Sequence, residues 1–170
     1  MWCTDKVTQM KVGLQITAEL ENVASLHAAG EDFRWYLKLK CLQCGSETPE
    51  FVYVDLLNSQ PLKGGRGSAS LVIKCKLCRR ENSIDIIKES LCAYFADDMP
   101  QFKTVVVFDC RGVEPTDFEP RAGWAAQAQG SHSSTRFEDI DLSPGEWADY
   151  DENAEQSVSI YEVKHQFVKQ

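Results

Sequence analysis

Two Cys-x-x-Cys pairs constrain this chain more than any other feature of its sequence. The first pair is Cys41 and Cys44, and the second is Cys75 and Cys78. A Cys-x-x-Cys turn brings two sulfurs to the same side of a tight loop. A zinc ion takes four such ligands in a tetrahedron, with each sulfur about 2.3 Å away. We therefore predict one zinc ion per chain, held by all four cysteines, with no coordination position left open.

The remaining cysteines set the chemical context of these pairs. The chain has seven cysteines, and its first residues contain no apolar run long enough for the core of a signal peptide. An odd cysteine count without such a leader argues against a disulfide framework, so we expect a cytoplasmic protein, with the nucleus as a second compartment. A dithiol redox site and unrelated buried cysteines stay open as alternatives. A thioredoxin-like pair would begin a helix, and the sequence predicts no such helix here.

The chemistry of a four-cysteine site favours a structural role for the metal. Catalytic zinc normally has three protein ligands and an open position that holds water. A deaminase-like centre would also require a His-x-Glu motif, which the sequence does not contain. No local motif suggests a Ser-His-Asp or Cys-His arrangement. We therefore expect a protein that is not an enzyme and whose zinc stabilises its fold.

Positive charge gathers around the two turns of an otherwise acidic chain. The formal net charge is -8, which repels a phosphate backbone, so we do not expect general nucleic-acid binding. Four thiolates around one Zn²⁺ leave a local negative charge, which neighbouring cations offset while keeping the cysteines deprotonated. Gly45, directly after the first pair, suits the positive φ with which such a turn often ends. Six cations flank the pairs: Lys38, Lys40, Lys74, Lys76, Arg79 and Arg80.

Hydrophobic residues recur with a period of two, which is typical of half-buried strands. In the last predicted strand the apolar face shifts at Ile160 and Tyr161, which indicates a β-bulge. Many short strands separated by turns predict an all-β fold, either a two-sheet sandwich or a distorted barrel, with a zinc-ribbon-like four-cysteine site. The predicted strands cover residues 11–20, 33–40, 51–57, 69–73, 84–86, 102–110 and 158–168.

Two segments interrupt the strand pattern. Residues 62–68 are rich in glycine and are predicted to form a surface loop. Residues 119–156 begin with small side chains and then turn acidic, and we predict one long acidic surface excursion anchored by its aromatic side chains. Because a regular strand follows, we expect a single zinc-binding β domain at residues 11–170, preceded by an N-terminal extension at residues 1–10.

The sequence also allows predictions for the remaining cysteines and for the histidines. Cys110 shares a predicted strand face with Phe102, and we expect that face in the core. His165 lies on the apolar face of the last predicted strand and is expected to be a hydrogen-bonded core histidine. Cys3 is predicted to be a free thiol, whereas the sequence leaves Cys92 undecided. The two other histidines fall in predicted loops: His27 and His132.

Four segments of the chain resemble one family, the eukaryotic CXXC-motif zinc-binding proteins, formerly a domain of unknown function. The resemblance runs from about Lys11 to the C terminus. It implies a single all-β domain with zinc on the two cysteine pairs and no established enzymatic activity. The segments that carry it are Glu31-Asp32-Phe33-Arg34-Trp35-Tyr36, Lys63-Gly64-Gly65-Arg66-Gly67-Ser68-Ala69-Ser70, Cys75-Lys76-Leu77-Cys78 and Ile160-Tyr161-Glu162-Val163-Lys164-His165-Gln166-Phe167-Val168.

Three hypotheses for the function follow. The leading one is a monomeric protein-interaction or adaptor module, in which a zinc-stabilised scaffold presents its loops to a protein partner and does not bind membranes. The second is a metal-handling protein that exchanges zinc or another thiophilic ion. The third is a thiol oxidoreductase, which would show a dithiol-disulfide couple near the cytosolic potential.

Overall fold

The computed structural model describes residues 8–58, 60–61, 68–130 and 135–170. In these ranges the regular elements are antiparallel β-strands and two single-turn 3₁₀ helices, at Lys88–Ser90 and Ala96–Asp98. The sheets curl into a half-barrel, and the all-β prediction is confirmed. Of the predicted loop at residues 62–68, only Ser68 is among the described residues.

Fifteen strands are found in the described residues. They are β1 (Gln9–Glu21), β2 (Val23–Ala28), β3 (Trp35–Cys41), β4 (Val52–Val54), β5 (Gln60–Pro61), β6 (Ser68–Ala69), β7 (Leu71–Lys74), β8 (Glu81–Ile87), β9 (Tyr94–Phe95), β10 (Lys103–Arg111), β11 (Val113–Glu119), β12 (Trp124–Ala128), β13 (Arg136–Ile140), β14 (Trp147–Asp151) and β15 (Gln156–Lys169).

Strand β1 lies inside the largest sheet, whose order is β14-β15-β1-β10-β8-β7. Its inward side chains alternate as predicted, and Val12, Leu14 and Ile16 are buried. A second sheet has the order β11-β3-β4, a third has the order β13-β12-β2-β9, and β5 pairs with β6. One cluster of buried apolar side chains, drawn from the three larger sheets, forms the core.

Trp35 on β3 joins the three larger sheets. Its ring centroid lies 5.9 Å from that of Trp124 on β12, 6.2 Å from that of Phe108 on β10 and 6.0 Å from that of Phe118 on β11. The ring pairs with Trp124 and Phe108 are edge-to-face, the arrangement that the aromatic quadrupole favours. Because Cys41 ends the same strand, this aromatic cluster fixes the strand that carries the first cysteine turn.

The segment at residues 119–156 contributes more to the fold than its acidic sequence suggests. Its carboxylates are mostly exposed, as expected, and its Phe137 and Trp147 rings pack 5.2 Å apart. The backbone of this segment forms β12, β13 and β14, however, and Trp124 and Ile140 are buried in the core. Asp151 is also fully buried and accepts a hydrogen bond from the Thr135 hydroxyl at 2.6 Å. These three strands have only five residues each, and many of those residues are small or acidic. Their sequences therefore show no period-two alternation of apolar and polar side chains.

A bulge in β10 changes which of its side chains reach the core. The register of β10 against β1 shifts so that Val105 has no cross-strand partner there. Val105 is therefore buried, whereas Phe102 is 37% exposed. The prediction that Phe102 shares the buried face of Cys110 is wrong, because a bulge moves the following residues to the opposite face. Cys110 itself is fully buried, as predicted.

The predicted bulge in the last strand is confirmed close to its expected place. Strand β15 shifts register against β1 between Tyr161 and Lys164, and Glu162 has a φ of 51°. At the other end of the domain, β1 begins at Gln9, and Met10 lies opposite Cys110. The division into an extension at residues 1–10 and a domain at residues 11–170 stays a prediction.

Candidate metal centre

The fold gathers the four predicted zinc ligands in one place. Cys41 is the last residue of β3, and Cys75 directly follows β7, so the two turns approach each other from different sheets. The four sulfurs lie within 4.8 Å of one another. The Cys41 and Cys78 sulfurs are 3.7 Å apart, and the Cys44 and Cys75 sulfurs are 3.5 Å apart. Each of these two short sulfur–sulfur distances is between a cysteine of the first turn and a cysteine of the second.

The two turns have the same backbone hydrogen bonds. In each, the first cysteine donates its N–H to the carbonyl five residues ahead, at 2.8 Å for Cys41 and 2.9 Å for Cys75. The carbonyl of that cysteine accepts the N–H four residues ahead, from Gly45 at 2.8 Å and from Arg79 at 2.9 Å. Gly45 has a φ of 79° and Arg79 a φ of 63°. The positive φ predicted for Gly45 is confirmed, and Arg79 adopts the same conformation although it is not glycine.

Two side chains cross from one turn to the sulfurs of the other. Ser46 follows the first turn, and its hydroxyl oxygen lies 3.2 Å from the Cys75 sulfur and 3.1 Å from the Cys44 sulfur. Asn82 follows the second turn on β8, and its side-chain amide donates to the Cys41 sulfur at 3.5 Å. Each turn thus supplies one polar side chain to the first cysteine of the other.

The two cysteines of the second turn have thiol pKa values that are shifted in opposite directions. The backbone N–H of Cys78, followed by the Ser46 hydroxyl, lowers the pKa of the Cys75 thiol to about 6. At Cys78 the backbone N–H of Arg80 favours the thiolate, but burial and the neighbouring sulfurs outweigh it and raise the pKa of this thiol to about 11. A cluster of four thiols therefore loses its first proton readily and its last with difficulty.

The first turn shows the same influence of hydrogen bonds. Burial raises the pKa of the Cys41 thiol, but the backbone N–H groups of Cys44 and Gln43 and the Asn82 amide outweigh burial and hold this pKa below its ordinary value. Backbone and side-chain donors thus point at the sulfur of the first cysteine in both turns. Such donors stabilise a thiolate, the form of cysteine that binds metal.

The donor set fits a zinc ion. Four sulfurs placed about 2.3 Å from one ion in a tetrahedron lie about 3.8 Å apart. The two shortest separations between the turns, 3.5 and 3.7 Å, are close to that spacing. Thiolate sulfur also selects thiophilic ions such as Zn²⁺ over Mg²⁺ or Ca²⁺. Cys41, Cys44, Cys75 and Cys78 are thus chemically and sterically suited to hold one such ion.

The predicted cations lie around the site with different roles. Arg80 donates from Nη1 to the Gln43 side chain at 2.6 Å, which ties the second turn to the first. The Lys38 ammonium lies 5.1 Å from the ring centroid of Phe51, at a distance typical of a cation–π contact. The other four side chains are exposed: Lys40, Lys74, Lys76 and Arg79.

Sequence reasoning missed Ser46 and Asn82. Ser46 stands two positions after the first pair, so a hydroxyl so near the turn could have been considered as a donor to sulfur. The position of Asn82 in the sequence does not indicate a contact with a cysteine sulfur. It pairs with Ile73 across the β7–β8 hairpin, and its contact with Cys41 depends on how two sheets meet.

Among the described residues, the other cysteines and histidines lie outside this cluster. Burial raises the pKa of the Cys110 thiol to about 12, and Cys92 is exposed. The His165 Nε2 lies 3.3 Å from the Asp117 carboxylate, but the His165 side chain is 30% exposed, so the prediction of a core histidine is wrong. His27 belongs to β2, so its predicted loop position is wrong, and burial followed by the charge of Arg136 lowers its pKa. The remaining two, Cys3 and His132, lie outside the described residues.

The fold and the site together define an all-β protein with a zinc-ribbon-like cluster of four cysteines on two Cys-x-x-Cys turns. The chain belongs to the family described as CXXC motif containing zinc binding protein, eukaryotic, whose profile matches residues 13–168. The resemblance seen in the sequence is confirmed.

Individual relatives match over nearly the whole chain. The CXXC motif containing zinc binding protein of Mus musculus is 57% identical over 159 residues, which cover 94% of this chain and 98% of the mouse protein. UPF0587 protein v1g245604 of Nematostella vectensis is 56% identical over 160 residues, which cover 94% of this chain and 99% of that protein. The crystal structure of C1orf123 matches with a TM-score of 0.89 and 55% identity, covering 94% of this chain and 99% of that one.

In the ranges that the structure covers, none of the helical segments has the length and apolar character needed to cross a bilayer.

Proposed function

We propose that Cys41, Cys44, Cys75 and Cys78 bind one zinc ion per chain and that this ion is structural. The observation that carries the proposal is the gathering of four sulfurs within 4.8 Å by two turns from different sheets. Four thiols in so small a space resist losing all their protons, and a bound cation removes that penalty. When bound, zinc supplies four bonds to sulfur that join the end of β3 to the β7–β8 hairpin.

We further propose that the chain is a monomeric, cytoplasmic protein-interaction module without catalytic activity. A closed set of four cysteines offers no position at the metal for water or substrate. The second turn also presents an apolar side chain to solvent, since Leu77 lies between two of the cysteines and is 71% exposed. Leu77 also borders a mostly apolar cleft that Leu39 and Val113 line, and a contiguous exposed apolar surface is typical of a partner contact.

Metal content and thermal unfolding test the structural site. Mass spectrometry of protein purified under reducing conditions should give one zinc per chain. Chelation should then lower the midpoint of unfolding and broaden the transition, because structural zinc contributes on the order of 10 kcal/mol in small domains. The matched variants are Cys44→Ser, which should lose the metal, and Cys92→Ser, which should keep it. An unchanged melting curve after complete zinc removal would contradict the structural role.

A metal-handling role is the second candidate, and one observation favours it. Cys44 and Cys78 are partly exposed, whereas Cys41 and Cys75 are buried, so one ligand of each turn is open to a competing thiol or chelator. Under this alternative, zinc transfer to a chelator would be complete within minutes while the β structure persists. Retention of zinc for many hours under the same conditions would rule out exchange as the function.

A further inference from the structure

Both short sulfur–sulfur contacts of the metal centre join one turn to the other. The Cys44 and Cys75 sulfurs lie 3.5 Å apart. The Cys41 and Cys78 sulfurs lie 3.7 Å apart. Because the sulfurs of a disulfide are about 2.05 Å apart, each pair has to approach by about 1.5 Å to form one. The centre is therefore arranged for two disulfides that would connect the turns.

Within each turn, the backbone holds the sulfur of the first cysteine. In the first turn, the backbone N–H groups of Cys44 and Gln43 donate to the Cys41 sulfur. The two equivalent N–H groups of the second turn donate to the Cys75 sulfur. These donors face each first sulfur from its own turn, so the side of the sulfur that they leave open faces the other turn. Pairing between the turns thus requires less rearrangement than pairing within a turn.

Each of the two contacts contains one sulfur that a small oxidant can reach. Cys44 and Cys78 are partly exposed, whereas their contact partners are buried. Hydrogen peroxide attacks thiolate sulfur, and an accessible cysteine next to a second cysteine is the arrangement typical of redox-sensitive thiols. In each contact, peroxide would react at the exposed sulfur, and the buried sulfur would then close the disulfide.

We propose that hydrogen peroxide converts the zinc centre into two disulfides between the turns and releases the zinc ion. The disulfides are Cys44–Cys75 and Cys41–Cys78. The inference concerns the regulation of the proposed zinc site and rests on that proposal. Because both disulfides join the end of β3 to the β7–β8 hairpin, the oxidised chain keeps the connection that zinc provides. The centre is then a reversible switch between a metal-bound and a metal-free form of the same fold.

The oxidation takes two steps at each pair of cysteines. The exposed thiolate attacks a peroxide oxygen, so an S–O bond forms, the O–O bond breaks and hydroxide leaves. The buried thiolate then attacks the sulfur of this sulfenic acid, so the S–S bond forms and the S–O bond breaks with loss of a second hydroxide. Each pair gives two electrons to one peroxide molecule. Four thiolates, two peroxide molecules and four protons thus yield two disulfides and four waters, and Zn²⁺ is set free.

Disulfide mapping of the zinc-loaded full chain after peroxide treatment tests this pairing. Trypsin cuts after Lys76 and chymotrypsin cuts after Leu42, so each cysteine of the centre falls on its own peptide. We expect zinc release, measured with a colorimetric chelator against a sample without peroxide, to rise in step with the two disulfides between the turns. Reduction with a dithiol followed by addition of zinc should restore one zinc per chain.

The variant Cys44→Ser distinguishes the two ways of pairing. Pairing between the turns predicts that this variant forms the Cys41–Cys78 disulfide and leaves Cys75 as a free thiol. Pairing within the turns predicts a Cys75–Cys78 disulfide and a free Cys41. The control is Cys92→Ser, which removes an exposed thiol outside the centre and should leave zinc release and both disulfides unchanged. Mapping of the unmodified chain does not depend on how these variants fold.

Thermal unfolding tests whether the disulfides replace the metal as a connection. Oxidised protein should keep its β-sheet circular dichroism, with an unfolding midpoint at least about 5 °C above that of reduced protein stripped of zinc. Disulfides within the turns, or zinc that stays bound while peroxide oxidises Cys92, would overturn the inference. Protein that contains no zinc after purification under reducing conditions would instead contradict the proposed metal site.

Discussion

The Asn82 side-chain amide lies 3.5 Å from the Cys41 sulfur and donates its N–H to it, although the two residues belong to different turns. Ser46 makes the reverse contact, with its hydroxyl 3.2 Å from the Cys75 sulfur. Polar groups that contact metal ligands hold them in orientation and stabilise their charge, and their loss typically costs about 10–100-fold in metal affinity. The two turns are therefore coupled through these side chains as well as through their sulfurs.

Replacing Asn82 by leucine tests this coupling. Asn82→Leu removes the donor to the Cys41 sulfur and also the unpaired Oδ1, while keeping a side chain of similar size. We expect zinc affinity to fall roughly tenfold, as measured by competition with a colorimetric chelator. Asn82→Asp should cost more, because a carboxylate would face a thiolate. Asn153→Ala, on an exposed turn, is the control, and equal affinities for Asn82→Leu and the control would contradict the assignment.

Gly45 and Arg79 occupy equivalent positive-φ positions in the two turns, and we expect their replacement to change the free energy of unfolding in opposite directions. Gly45→Ala should destabilise the fold by about 1 kcal/mol, because alanine resists a positive φ while the added Cβ would meet no atom within 4 Å. Arg79→Gly should stabilise it by about 0.5–1 kcal/mol, since glycine tolerates the φ of 63° found there. Urea unfolding of the zinc-loaded protein measures both. Arg79→Ala removes the charge but keeps the strained φ, and a gain in stability there would refute the backbone explanation.

The sequence was sufficient to predict the parts of the fold that have a strong local signal. The period-two pattern of Val12, Leu14 and Ile16 survives in β1 because one face of that strand is buried along its length. The Cys-x-x-Cys spacing carries the ligand geometry within itself, so the four cysteines could be predicted without knowledge of the sheets. Gly45 followed from the geometry of the same turn.

Features that depend on contacts between sheets could not be predicted in this way. The bulge at Val105 is a mismatch between β10 and β1, and no property of β10 alone indicates it. Strand β12 buries three successive residues, Trp124, Ala125 and Ala126, so its sequence shows no alternation to detect. Asn82 reaches Cys41 only because the β7–β8 hairpin of one sheet meets the end of a strand in another.

Trp124 tests whether the segment at residues 119–156 is part of the core. Trp124→Ala should lower the free energy of unfolding by about 3–5 kcal/mol, because this ring is buried and packs at 4.9 Å against Phe33 and 5.9 Å against Trp35. Trp124→Phe should cost less, since it keeps an aromatic ring and removes an indole N–H that has no partner among the described residues.

Tyr150 provides the control for that measurement within the same segment. It is 49% exposed on β14, and Tyr150→Ala should change the free energy of unfolding by no more than about 0.5 kcal/mol. Urea denaturation followed by circular dichroism is suitable for all three variants, because it does not rely on the tryptophan being replaced. Similar small losses for Trp124→Ala and Tyr150→Ala would show that the segment is peripheral.

Two cysteines outside the metal centre should differ sharply in reactivity. Cys92 is exposed, whereas Cys110 is fully buried and burial raises the pKa of its thiol to about 12. Because the thiolate is the reactive form, a maleimide should label Cys92 within minutes in the zinc-loaded protein and leave Cys110 unlabelled, both at pH 7 and at pH 9. Peptide mapping by mass spectrometry assigns each label and separates Cys92 from Cys3, which the sequence predicts to be a second free thiol. Cys92→Ser should remove only the fast label of its own peptide. Labelling of Cys110 at the rate of Cys92, without denaturant, would mean that the β1–β10 region opens on the same timescale and that the core is not packed as described.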